Sequence, residues 1–178
     1  MTSLGSRARS RPRSVTPIEA AVVFALVGSV LAVAVPTFVR EVHASRLTEP
    51  IDGLKRIGAA AVDYAHEHPV GQGFPQSAPL TPSAPPRGEC RPDPPEIWDH
   101  PTWRALDFRP AAPGAPHCFS FAFDSAATPA RATFTAHAHG DLDGDGITST
   151  FQVSGVYVEG DPRGAVLEPG MIIDSEVE

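Results

Sequence analysis

The chain has 178 residues, 42% of them hydrophobic and 20% charged, which supplies enough apolar material for a core and excludes a wholly disordered polymer. Its formal net charge of -7 hides an asymmetry: residues 1–14 hold Arg7, Arg9, Arg11 and Arg13 and no acid, so the other 164 residues set 10 basic groups against 21 acidic ones. A body this acidic lacks the basic clusters that sequence-independent nucleic-acid binding needs. The basic start, 1–14, leads into a predicted hydrophobic helix over 15–41. Within it the 20 residues from Ala20 to Val39 carry no charge. As a helix they span ~30 Å, the thickness of a bilayer core. The preceding arginines orient such a helix with its N-terminus in the cytoplasm. The apolar stretch of a cleaved secretory signal is only ~7–15 residues long, so an anchor fits this run better. Glu19 sits at the edge of the run, where a carboxylate calls for a partner.

Ser14-Val15-Thr16-Pro17-Ile18-Glu19-Ala20 and the apolar run after it resemble the start of type IV pilins and the related pseudopilins. In that family a short basic leader ends in glycine, glutamate is the fifth mature residue, and a proline often stands twenty-second. Counted from Val15, Glu19 is fifth and Pro36 is twenty-second. Ser14 stands where the family has glycine, Val15 where it has phenylalanine, and Pro17 where it has leucine. The resemblance covers about residues 7–40. It implies cleavage between Ser14 and Val15 by a prepilin peptidase, with residence first in the bacterial inner membrane. The helix then assembles with copies of itself or other pilins, through Val15, Glu19 and Pro36, into a periplasmic or cell-surface filament. There the Glu19 carboxylate would face the amine of a neighbouring Val15, since a buried acid needs such a partner.

Past the run, Leu47, Ile51, Leu54, Ile57, Ala61 and Tyr64 recur at steps of three or four, which predicts an amphipathic helical half over 42–68. Pro50 interrupts it or opens a new helical piece. Of the 20 prolines, 13 fall between Pro69 and Pro116, so 69–117 is expected to be an irregular connector. Pro101–Leu106 is the exception, a helical turn that tucks Trp103 inward. Cys90 and Cys118 are the only cysteines. Export would permit a disulfide between them, closing a 28-residue separation and contributing about 3 kcal/mol; in a reducing compartment they remain two thiols.

The C-terminal head, 118–178, contains three alternating runs: Phe119, Phe121, Phe123; Ala132, Phe134, Ala136, Ala138; and Ile147, Ser149, Phe151, Val153. Their period of two predicts an antiparallel sheet of about 3–4 strands lying on the amphipathic helix, an α+β arrangement; the resemblance implies that it is the pilin-like fold. A fourth strand is expected at Gly155–Glu159 or near Met171–Ile173. Between the second and third runs, Asp141, Asp143 and Asp145 alternate with glycines, as in the first half of a calcium loop, with Ser149 and the Ile147 carbonyl as further ligands. Gln152 holds the place of the glutamate that ends a helix–loop–helix calcium motif, and the flanks read as strands. Some major pseudopilins hold calcium in a loop of the head, and this one is compatible. A plain acidic hairpin turn accounts for the residues equally well. His137 and His139 share a strand face and offer a transition-metal option beside a simple solvent face.

No nucleophile elbow, zinc-protease motif or phosphate-binding loop occurs, so a non-enzymatic protein is expected; the resemblance implies a filament subunit of a type IV pilus or a type II secretion pseudopilus. The alternative is a membrane-anchored periplasmic module that binds calcium or another ligand without assembling.

Overall fold

The computed structural model describes residues 16–174, and of 39–46 the backbone alone. The protein is α+β: an N-terminal helical region precedes an antiparallel sheet. The chain divides into an N-terminal unit ending at Val42 and a second unit beginning at His43.

Helix α1 runs over Pro17–Arg46. Its stretch Pro17–Phe38, 22 residues, is long and apolar enough to cross a membrane, with none of its most apolar window buried within the chain. It would span about 33 Å at 1.5 Å per residue. The two hydroxyl groups of the stretch Pro17–Phe38 are satisfied inside the helix. Ser29 Oγ donates to the Ala25 carbonyl at 2.8 Å, and Thr37 Oγ1 to those of Val33 and Ala34 at 3.0 and 2.9 Å. That is what a hydroxyl does where water is scarce. The helix continues through Pro36, which has no N–H to return to the preceding turn.

A single turn residue, Leu47, separates α1 from α2, Thr48–His66. Pro50 lies in the first turn of α2, where a missing N–H costs nothing, so it opens the second helical piece. Helix α2 buries Leu54, Ile57, Ala61 and Ala65, together with Pro50, Gly53 and Gly58. The buried stripe thus drifts from the expected one. Tyr64 is half-exposed and stacks on His68 at 3.8 Å, while Ala65 takes the inner position. Gly53 sets how closely α2 approaches the sheet: a Cβ there would lie 2.7 Å from Phe121 Cε1.

Among the described residues the sheet has six strands, not three or four: β1 (Ala78–Thr81), β2 (Phe119–Ala127), β3 (Arg131–Gly140), β4 (Ser149–Val158), β5 (Ala165–Leu167) and β6 (Ile172–Asp174). The order is β1-β2-β3-β4-β5, and β6 pairs with the first part of β4. The three long strands match the alternating runs, with Phe119, Phe121, Phe123, Phe134 and Phe151 sealed inside. Two boundaries differ from expectation. Ile147 precedes β4 and is exposed, and Gly155–Val158 extends β4 instead of forming a separate strand.

The connector is more ordered than its composition suggests. It supplies edge strand β1, antiparallel to β2, where Pro79 is tolerated because an edge strand leaves one row of N–H positions unpaired. It also forms 3-10 turns at Val70–Gln72 and Pro95–Trp98 and helix α3, Pro101–Ala105. His100 Nδ1 accepts from Thr102 N–H to start α3 with Pro101 at its first position. Trp103 is buried as expected, its indole N–H donating to Thr81 Oγ1 at 3.1 Å. Trp98 and Phe108 pack around it. Cys90 and Cys118 form a disulfide that ties the connector to the start of β2.

Candidate functional site

The first described residues make the start of α1 a capping box. Thr16 donates its backbone N–H and its hydroxyl to Glu19 Oε2, at 2.8 and 2.9 Å, and Thr16 Oγ1 accepts from Glu19 N–H at 3.3 Å. Among the described residues Glu19 therefore caps its own helix through Oε2. Pro17 fits between them, because the first helical position needs no N–H donor. Glu19 is exposed, as are Ile18, Phe24, Leu26, Leu31 and Phe38 along the helix. Ser14 and Val15, the expected cleavage pair, lie outside the described residues. Pro36 lies inside α1, near the end of its apolar stretch.

The acidic turn brings Asp141, Asp143 and Asp145 together, with ligand oxygens within 4.8 Å of one another. The turn also closes itself. Asp141 Oδ1 and Oδ2 accept from the N–H groups of Gly144 and Gly146 at 2.8 and 3.2 Å. Asp143 accepts from Asp145 N–H at 3.1 Å, and Asp145 from Ile147 N–H at 2.7 Å. Asp141 is buried, with the Arg87 guanidinium 4.0 Å away, and Gly88 N–H donates to its carbonyl. The connector thus buttresses the turn. Gly144 and Gly146 hold positive φ angles of 84° and 94°, which side chains with a Cβ adopt at a cost. Ser149 is fully buried, and its hydroxyl donates to the Gly140 carbonyl at 3.2 Å.

His137 and His139 lie on one face of β3, rings 6.0 Å apart and within 11° of parallel. Burial holds His139 below the usual imidazole range, and the neighbouring His137 adds to the effect.

A third polar cluster was not anticipated. The Glu49 carboxylate accepts from the N–H groups of Cys118 and Phe119 at 3.0 and 3.1 Å. His117, buried beside it, hydrogen-bonds through Nε2 to Asp93, and its Nδ1 lies 3.0 Å from the Phe119 carbonyl oxygen. Burial pushes the Glu49 carboxyl up, against the pull of those two N–H donors and of His117. The cluster joins the first turn of α2, the connector and β2 next to the disulfide. The adjacency of His117 to Cys118 was its only local signal, because Glu49 and Asp93 are distant in sequence.

Comparison with protein families, with curated proteins and with solved structures finds no match to this chain.

Proposed function

We propose that this protein is a filament subunit of the type IV pilin or pseudopilin kind, cleaved after Ser14 and assembled through α1. The observation that carries the reading is a 22-residue apolar helix with none of its most apolar window buried in its own chain and a carboxylate in its first turn. Such a surface stays dry only in lipid or against other apolar helices. Passage from the inner membrane into a bundle of identical helices keeps it dry throughout. Glu19 supports the same reading: among the described residues the capping box engages Oε2, and Oε1 would accept from the amine of a neighbouring Val15. On this reading the protein has the pilin fold, with the second unit as the head, and no catalytic role.

The test is Glu19→Ala in the full chain. Filament incorporation should be lost while the melting temperature of the head is unchanged. Unaltered assembly removes Glu19 from the mechanism, whereas a parent protein that itself never enters a filament favours a permanent membrane-anchored module.

The convergence of Asp141, Asp143 and Asp145 supports a second assignment, a Ca2+ ion held by the turn. Among the described residues, the turn's hydrogen bonds use Oδ1 of Asp143 and Oδ1 of Asp145, and an all-oxygen donor set suits this hard cation. Millimolar Ca2+ should raise the melting temperature of the full chain in detergent, and Asp143→Asn should abolish the rise. No shift in the parent protein makes the loop a plain turn.

A further inference from the structure

The face of β3 opposite the buried row Phe134, Ala136 and Ala138 carries a group of donors drawn from three adjacent strands. His137 Nε2 lies 3.5 Å from Asp124 Oδ2 on β2. His139 Nδ1 lies 2.9 Å from Thr150 Oγ1 on β4. Register explains the meeting: Ala122 pairs with His137, so Asp124 is its diagonal neighbour, and Thr150 stands directly opposite His139.

We propose that His137, His139 and Asp124 form a surface site for a divalent transition-metal ion of the Zn2+ type. Two imidazoles on alternate residues of a strand start ~6.6 Å apart, the rise of two residues. On one tetrahedral ion, with metal–nitrogen bonds of ~2.0–2.1 Å, their nitrogens sit ~3.3 Å apart. The rings project from the same face 6.0 Å apart and nearly parallel, so side-chain rotation has to tilt them towards each other to close that difference. The hydrogen bond to Thr150 engages Nδ1 of His139, leaving Nε2 as its ligand atom. With a metal on Nε2, Nδ1–H donates to the Thr150 hydroxyl and fixes the ring, as outer partners of metal-bound histidines do. Asp124 supplies an oxygen from an exposed position, drawn from its contact with His137. Two nitrogens and one oxygen leave a fourth position for water or for a group from a neighbouring molecule. The donor set differs in kind from the all-oxygen trio at Asp141, Asp143 and Asp145, so the two clusters select different ions.

The test uses the full chain in detergent micelles, purified without a polyhistidine tag and titrated with zinc chloride by calorimetry. One equivalent should bind. His137→Ala and His139→Ala should each weaken binding at least about tenfold, as should Thr150→Val through the lost outer hydrogen bond. Asp124→Asn should weaken it as well, whereas Asp143→Asn should leave it unchanged. In the parent protein, the imidazole NMR signals of His137 and His139 should shift together on adding zinc, a readout that does not depend on any variant folding. Absence of zinc binding, equal affinity in the double variant lacking both histidines, or zinc-induced shifts confined to other histidines would overturn the proposal.

Discussion

Phe24 in α1 and Phe121 in β2 are the same residue in opposite circumstances. One is 77% exposed and the other 0%. The second unit turns its phenylalanines inward: Phe123 stacks on Phe134 at 5.2 Å, and Phe108 meets Phe121 edge-on at 5.0 Å. The apolar stretch of α1 spreads its side chains around a helix with no core of its own. Apolarity alone therefore does not place a residue. Period does: alternation by two closes a sheet over a helix, whereas an unbroken run has no polar face to leave in water. The head supplies its own apolar environment, and α1 requires one from outside.

The sharpest way to break the contrast is to truncate one phenylalanine on each side. Phe121→Ala should cost the head about 3–5 kcal/mol, read as a lowered melting temperature. Phe24→Ala should leave that temperature unchanged and instead reduce retention in the membrane or filament fraction. A comparable loss of head stability from Phe24→Ala would show that α1 belongs to the head's core after all. Next, replacing Cys90 and Cys118 together with serine should cost about 3 kcal/mol, since it releases the closed loop between them in the unfolded chain. A reducing agent acting on the parent protein should reproduce the effect in denaturant titrations.

Gly53→Ala probes the fit of α2 on the sheet. The added methyl meets the ring of Phe121 at 2.7 Å, inside a core that cannot yield freely. Overpacking of this kind costs about 1–3 kcal/mol, against a gain of about 1 kcal/mol in helix propensity, so net destabilisation is expected. The smallest effect is electrostatic. Burial raises the Glu49 carboxyl above its ordinary 4.5, so the folded state binds its proton more tightly than the unfolded state does. Its contribution is then fully present below about pH 4.5 and is lost as pH rises through the raised value. Melting temperature measured against pH should therefore fall more steeply above 4.5 in the parent protein than in Glu49→Gln. Parallel curves would contradict the assigned direction.

The sequence made the long elements readable because their patterns run for many residues. The uncharged run marks α1, and the alternations around Phe121, Ala136 and Phe151 mark β2, β3 and β4. Strands β1, β5 and β6 have 4, 3 and 3 residues, too few for a period to register, so the sheet was underestimated. Composition misled in the connector, whose prolines coexist with an edge strand and a buried Trp103. The acidic trio was legible because its members are neighbours in the chain. The Glu49–His117–Asp93 cluster was not, since its contacts bridge sequence separations of 69 and 24 residues. The capping box at Thr16-Pro17-Ile18-Glu19 did carry a local signature, threonine followed three places later by glutamate.

These particulars bear on the central claim, that α1 exists to assemble and that its leader is removed first. Glu19 has a partner within its own chain, so its presence alone does not prove a neighbour; the amine of Val15 has to be freed for the pairing to form. The most direct measurement is intact-mass and N-terminal peptide spectrometry of the protein recovered from its native membranes and from sheared surface material. The account predicts a chain that begins at Val15, carries N-methylation on its amine and lacks Arg7, Arg9, Arg11 and Arg13. A membrane-bound chain that keeps those arginines would contradict it and leave a permanent anchor in its place.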